Sequence, residues 1–450
     1  MFNLTNKSYL KVINYSIFFI FFLIFFYAIY KSEIIFDGKI RANYIFFYIL
    51  SLTILVISSV GIFYKDKIPF LLFFVASFFF NLYVLEYVLG NKIIEDYKKK
   101  KINKNYDLST FVELYEKNKN NLNEISFSFP SGYYLTNYSE IFPLASGQSN
   151  VNSYLCNESG DWAIYKSDRY GFRNDDNLWN QNIDIVSVGD SFLHGYCVNE
   201  GESISEVYNK KSKLKMINLG VGGTGPLQQY ARLTEYLKVI NDFQYIFWFY
   251  QESNDLSNLD DEFGNKLLVN YLTKNNFSQD LILKQSDIDE ITKKDLEKNY
   301  VNTKYTVIKF LKLDTLKWFV ANYFNISSNK EFDLLNQNQI SNEKRLNSLK
   351  IVLENAKALA KKNNAKLIFV YTPYFQRYLL HDNEKNQFRL KNKVLELVKQ
   401  LELNIIDIDE EVFEKLDDPL NLYPNKKHNH PNAKGYELVA NYLLNVFKKE

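Results

Sequence analysis

Hydrophobic patterning divides the chain into two regimes. Residues 12–30, 44–64 and 70–89 are apolar runs of about 20 residues nearly free of charge, the length a helix needs to cross a hydrocarbon core of about 30 Å. A cleaved signal peptide would account only for the first, and no small-residue cleavage site follows it. Buried helices of a soluble domain would carry a polar face, which these runs lack. Three transmembrane helices are therefore predicted. Glu86, inside the third run, reads as an end-of-helix residue that snorkels outward, with an intramembrane functional carboxylate as the alternative.

Residues 92–182 form a polar lead-in, with a short helix predicted around 111–118 and then loops rich in Ser, Asn and Tyr. From Ile183 the pattern alternates. Residues 183–188, 216–219, 245–250, 367–371 and 404–408 are short apolar or β-branched runs of the kind that form buried parallel strands. Between them lie helical periods, clearest over 343–362, where Leu346, Leu349, Val352, Leu353, Ala356, Leu359 and Ala360 recur at spacings of three and four. A last helix is predicted over 433–449. This alternation predicts an α/β fold, an open and mostly parallel sheet with helices on both faces, which binds ligands at the carboxyl ends of its strands. Residues from 264 to about 342 interrupt it with a helical, Lys- and Asn-rich insertion, either a lid or partner surface or an inert elaboration. The expected organisation is an anchor over 1–91, a lead-in over 92–182 and the α/β domain over 183–450.

Length and charge narrow the function. At 450 residues the chain exceeds one average domain. Lys and Arg total 54 against 52 Asp and Glu, and a net charge of +2 gives no electrostatic case for a nucleic-acid partner. There are only two cysteines, Cys156 and Cys197, which form either a disulfide joining the lead-in to the region behind Ser191 or two buried reduced thiols.

Four strings stand out, three of them just past predicted strand ends and the fourth just before the last predicted helix. Val188-Gly189-Asp190-Ser191-Phe192 offers a nucleophile, Asn218-Leu219-Gly220-Val221-Gly222-Gly223 and Ser253-Asn254-Asp255 offer hydrogen-bond donors, and His430-Pro431-Asn432 offers a base. Each alone is common turn chemistry. Their order resembles the SGNH/GDSL hydrolase family, whose four motif blocks carry Ser, Gly, Asn and His in that sequence. The strings Cys156-Asn157-Glu158-Ser159-Gly160, Gly195-Tyr196-Cys197-Val198, Gln251-Glu252-Ser253-Asn254-Asp255 and Asp418-Pro419-Leu420 are similar to those of uncharacterised bacterial membrane-anchored SGNH-like proteins, and the likeness runs from about Leu144 to the end.

The resemblance implies a flavodoxin-like SGNH fold and a serine esterase or O-acyltransferase that needs no cofactor. A serine hydroxyl needs a base to take its proton, and an acyl-transfer transition state needs donors aimed at its oxyanion. Ser191 would be the nucleophile and His430 the base, with the backbone N–H groups of Ser191 and Gly223 and the amide of Asn254 as donors; Gly222 is the alternative to Gly223. Asp190 and Asp255 read as turn-holding residues. Family members carry Asp three residues before the base, where this chain has Lys427. The acid is then Asp417 or Asp418, or the site is a Ser–His dyad, or activity is lost. His428 with His430 suggests a metal only weakly, since no third His or Cys is near in sequence, and none is assigned. The Gly171-Phe172-Arg173 stretch shapes a substrate mouth or is a structural hairpin.

Two functions follow: an enzyme acting on acyl esters of cell-envelope carbohydrate or lipid, or a catalytically inactive domain serving as a binding or assembly subunit. Sidedness is contested. Lys7, Lys11, Lys65 and Lys67 fall on one side of three spans, and Lys31, Lys39, Arg41 and Lys98 to Lys101 on the other, which favours a cytoplasmic C-terminal part. Membrane-anchored relatives usually hold the hydrolase domain outside the inner membrane, and the expectation adopted is a multi-pass inner-membrane protein with that domain on the periplasmic side.

Overall fold

A computed structural model describes residues 7–35, 41–90, 106–129, 140–304, 307–317, 339–379, 390–426 and 428–447. Lys39, Lys98 to Lys101, His381 and Lys427 lie outside the described residues. The chain forms two compact units, residues 1–101 with 304–333, and residues 102–303 with 334–450.

The first unit is built on helices α1 (Lys7–Ile29), α2 (Arg41–Phe63) and α3 (Ile68–Gly90). All three are long and apolar enough to cross a membrane. Their outward surfaces carry large apolar side chains, Phe63 at 81% and Phe73 at 72% exposure, a pattern suited to lipid as solvent. Inside the bundle Asn14 donates to the Ser58 carbonyl at 2.9 Å. Its amide lies where a Cβ on Gly61 would come within 2.8 Å, so the small residue permits the close approach.

Glu86 corrects the sequence reading. It does not snorkel; it is fully buried and accepts from the backbone N–H groups of Thr315 at 3.1 Å and Leu316 at 2.7 Å. Tyr83 donates to the Leu311 carbonyl at 3.0 Å, and the helix Val307–Leu311 packs on α3. Part of the insertion therefore belongs with the three apolar helices, a grouping that periodicity along the chain does not encode.

The second unit holds a small sheet of β1 (Ile125–Phe127), β2 (Asn152–Tyr154) and β3 (Ile164–Lys166). Its main sheet is β4 (Ile185–Val188), β5 (Met216–Asn218), β6 (Tyr245–Gln251), β7 (Lys366–Thr372) and β8 (Asn404–Asp407). The main sheet is parallel throughout and ordered β5-β4-β6-β7-β8, with Ile185 opposite both Met216 and Tyr245. Neighbours reverse direction of travel at β4 and β6, which makes their carboxyl ends the switch-point crevice of a flavodoxin-like order.

Alternation along these strands loads both faces. Val186, Ile246, Trp248, Phe369 and Tyr371 enter one core with the helices Pro226–Tyr236 and Gln339–Lys362. Ile185, Met216, Phe247, Phe249, Ile368 and Val370 enter the other with Ile204–Lys211 and Ala433–Val446. Strands buried on both faces read as continuous apolar runs, which is why all five were visible in the sequence.

The lead-in is part of this unit. Phe127, Phe142, Leu144 and Phe172 are buried in the same core as β4 and β6. The predicted short helix spans Phe111–Asn118, started by a capping box between Thr110 and Glu113. The helices Lys266–Thr273 and Gln285–Thr303 of the insertion also pack on the core through Leu268, Tyr271, Ile288 and Leu296.

Candidate active site

β4 ends at Gly189, where a Cβ would meet the Cβ atoms of Phe249 at 2.8 Å and Leu193 at 2.9 Å. Only glycine lets the chain turn this close to β6. Asp190 then caps the helix Ser191–His194, its carboxylate accepting from Phe192 N–H at 2.9 Å and lying 3.2 Å from Ser191 Oγ. The turn closes at Gly195 with φ of 77°, where a side chain would strike Ser203.

The Gly171-Phe172-Arg173-Asn174 stretch supports this turn from behind. The buried Arg173 guanidinium donates to the carbonyls of Gly195 at 2.6 Å and Val198 at 3.0 Å. Asn174 exchanges hydrogen bonds with the backbone of Asn218 at 2.8 and 2.9 Å, extending the edge of β5. The stretch is buried and braces the turn, but it is a run of bends and not a hairpin.

His430 precedes the helix Ala433–Val446, whose N-cap Asn432 accepts from Gly435 N–H at 3.1 Å. Its Nε2 lies 3.0 Å from Ser191 Oγ, and its Nδ1 lies 2.9 Å from an oxygen of Glu158. The Tyr196 ring packs on the imidazole at 4.7 Å between centroids. The structure thus brings Ser191 and His430 together. It does not bring Asp417 or Asp418 to His430. Asp417 is exposed, and Asp418 accepts from Leu420 N–H at 3.1 Å and Lys426 Nζ at 2.5 Å. The acidic group at the imidazole is Glu158, in the lead-in.

Glu158 stands two residues after Cys156, which is disulfide-bonded to Cys197 with 5.1 Å between their Cα atoms. Glu158, Cys197 and His430 offer ligand atoms within 4.8 Å of one another. The Cys197 sulfur is already in the disulfide and both imidazole nitrogens face partners, so the trio does not fit a metal.

Of the expected donor positions, the Gly222-Gly223 turn comes close to Ser191. Asn254 stands at the start of the helix Asp255–Glu262 beyond β6, and its side-chain amide oxygen accepts from the Ser253 hydroxyl at 3.1 Å. Gly222 lies where a Cβ would be 3.6 Å from the Ser191 Cβ and 3.0 Å from the Tyr196 ring. Its N–H is engaged, donating to His194 Nδ1 at 3.3 Å. Gly223, the next residue, has a φ of 73°, a conformation that suits glycine.

His194 was not singled out by sequence reasoning. It is fully buried, with Nε2 3.2 Å from Tyr165 Oη and 3.4 Å from Ser146 Oγ. Burial, then the charges of Arg173 and Arg232, hold its pKa well below the ordinary histidine value. A neutral ring accepting at Nδ1 carries its proton on Nε2.

Behind the donors the charge is buried too. Burial pushes the Asp190 carboxyl up, and burial together with the charge of Asp190 pushes Asp255 well up. Asp255 accepts from Gln251 N–H at 3.0 Å and Gln229 at 3.2 Å, bracing the end of β6 as a turn-holding residue would.

Fold and site together define a doubly wound α/β domain with a Ser–His pair at the carboxyl edge of its sheet. No protein-family model and no curated protein matches the chain. Among solved structures it is similar to a protein assigned to the lipolytic G-D-S-L family from Desulfitobacterium hafniense DCB-2, at 15% identity and a TM-score of 0.32, over 59% of this chain and 100% of that one. A member of the lipolytic G-D-S-L family from Veillonella parvula DSM 2008 gives 14% identity and a TM-score of 0.32, over 60% and 100%. A carbohydrate esterase whose active site is described as having divergent catalytic and non-catalytic binding functions gives 12% identity and a TM-score of 0.30, over 60% and 66%.

Proposed function

We propose that the chain is a membrane-anchored serine esterase or O-acyltransferase of SGNH/GDSL type, acting on acyl esters of cell-envelope carbohydrate or lipid. The observation that carries this reading is the 3.0 Å approach of His430 Nε2 to Ser191 Oγ at the switch point of the sheet. The hydroxyl proton passes to Nε2 as Oγ bonds the ester carbonyl carbon, and the negative charge moves to the carbonyl oxygen. The N–H groups of Ser191 and Gly223 and the side-chain amide of Asn254 stabilise it. Collapse breaks the bond to the leaving oxygen, which takes the proton back from His430 and departs as an alcohol. Water or a sugar hydroxyl then gives its proton to His430, attacks acyl-Ser191 and releases the Ser191 oxygen, which is reprotonated.

The disulfide supports a domain on the periplasmic side, since such bonds persist in oxidising compartments. Three apolar helices would hold the enzyme beside envelope substrates. Turnover of an activated acetyl ester by the detergent-solubilised full chain tests the reading. Ser191→Ala should abolish it; wild-type turnover in that variant would overturn Ser191 as the nucleophile, and an inactive wild-type chain would leave the binding-subunit reading in its place.

A further inference from the structure

We infer that Glu158 is the positioning carboxylate of this site, and that the Cys156–Cys197 bond holds it against His430. This rests on the serine mechanism proposed above. Glu158 and His430 are 272 residues apart in sequence, yet Oε1 and Nδ1 meet at 2.9 Å with side chains only 18% and 16% exposed. A carboxylate at Nδ1 accepts a proton-bearing nitrogen, which leaves the Nε2 lone pair facing the Ser191 hydroxyl. When Nε2 takes the serine proton, Glu158 stabilises the imidazolium and itself stays ionised. Asp190 is turned to the nucleophile helix, where it accepts from Phe192 N–H, and Asp418 lies away from the imidazole, bonded to Leu420 and Lys426.

Glu158 reaches the base from outside the main sheet. It sits in the turn between β2 and β3, where Leu155 N–H and Ala163 N–H each bond across at 2.9 Å. On one side the turn is pinned to the lead-in, with Tyr106 donating to the Asn157 carbonyl at 2.9 Å and Asn157 Nδ2 to the Asp107 carbonyl at 2.8 Å. On the other side the disulfide ties it to Cys197, in the loop that follows the nucleophile helix. That bond couples the acid-bearing turn covalently to the nucleophile-bearing one. The expected family position for the acid holds Lys427, and the role has moved to a segment that the disulfide brings within reach.

The test uses the full chain in detergent, with 4-nitrophenyl acetate turnover, the rate of serine labelling by a fluorophosphonate, and 15N-histidine spectra, which only four histidines make readable. Glu158→Ala and the isosteric Glu158→Gln should lose about 10³- to 10⁴-fold in kcat with KM little changed, and Glu158→Asp should recover part of it. In wild type His430 should show protonated Nδ1 and a lone pair on Nε2, and Glu158→Gln should mix the two tautomers. Replacing both cysteines by alanine should slow kcat and labelling about 10²-fold, the scale of a small misplacement of a catalytic group. Wild-type kcat in Glu158→Ala, or an Nε2–H tautomer in the native chain, overturns the positioning role. Wild-type kcat without the cysteines overturns the clamp. Activity surviving Ser191→Ala is a different failure, that of the serine mechanism.

Discussion

His194→Phe separates the alignment of the oxyanion donors from the integrity of the core. The phenyl ring fills the same buried space but cannot accept from Gly222 N–H, which His194 Nδ1 takes at 3.3 Å. Tyr165 Oη keeps its partner Ser146 at 3.0 Å. One buried donor is therefore orphaned, for a stability loss of about 1–3 kcal/mol. The larger effect falls on catalysis. The Gly222-Gly223 turn loses the contact that orients it, and misdirecting one oxyanion donor lowers turnover about 10²- to 10³-fold. Denaturant unfolding and kcat on an activated acetyl ester, measured on the same full-length preparation, check both numbers. Because burial holds the His194 pKa well below the ordinary histidine value of 6.5, the loss should be constant above that pH. A variant destabilised as expected but turning over within about threefold of wild type would refute the positioning argument, since loss of a donor is about 10²-fold or more.

Asn254→Ala should fall about 10²- to 10³-fold in kcat while retaining serine labelling, because it removes a donor and not the nucleophile. Burial pushes the Glu262 carboxyl up from 4.5 to about 7. The fold therefore holds a proton there that the unfolded chain gives up, and the stability it contributes is complete below pH 4.5 and lost as pH rises to about 7. Urea midpoints should decline over that window, and Glu262→Gln should flatten the decline even though it sacrifices one of the hydrogen bonds to Gly225 and Leu227; an unchanged slope would contradict the assignment. For sidedness, alkaline phosphatase fused at the C-terminus should be active, and an inactive fusion beside a fluorescent cytoplasmic reporter would reverse the periplasmic placement.

The main sheet was legible because its strands are short apolar runs buried on both faces, and the Ser191, Gly222-Gly223 and Asn254 strings follow strand ends while His430 precedes the last helix. β1 to β3 were not, being three residues each with polar members such as Asn152 and Ser153. The candidate acid was sought beside His430 because acids usually lie there in sequence, whereas Glu158 arrives through tertiary contact. One signal did point to it. If Cys156 and Cys197 pair, a residue two past the first is carried to the loop behind Ser191. Glu86 misled because an apolar run does not reveal that a distant segment, Thr315 and Leu316, supplies its partners. His194 gave no pattern at all, since its role depends on one backbone N–H across the turn.

The central claim is an activated Ser191, and peptide mapping of fluorophosphonate-treated protein tests it most directly. The account predicts a single phosphonylated peptide carrying Ser191, absent from Ser191→Ala and slowed in His430→Ala. A folded, oxidised wild-type chain that takes up no label, or takes it up at another serine, would contradict it.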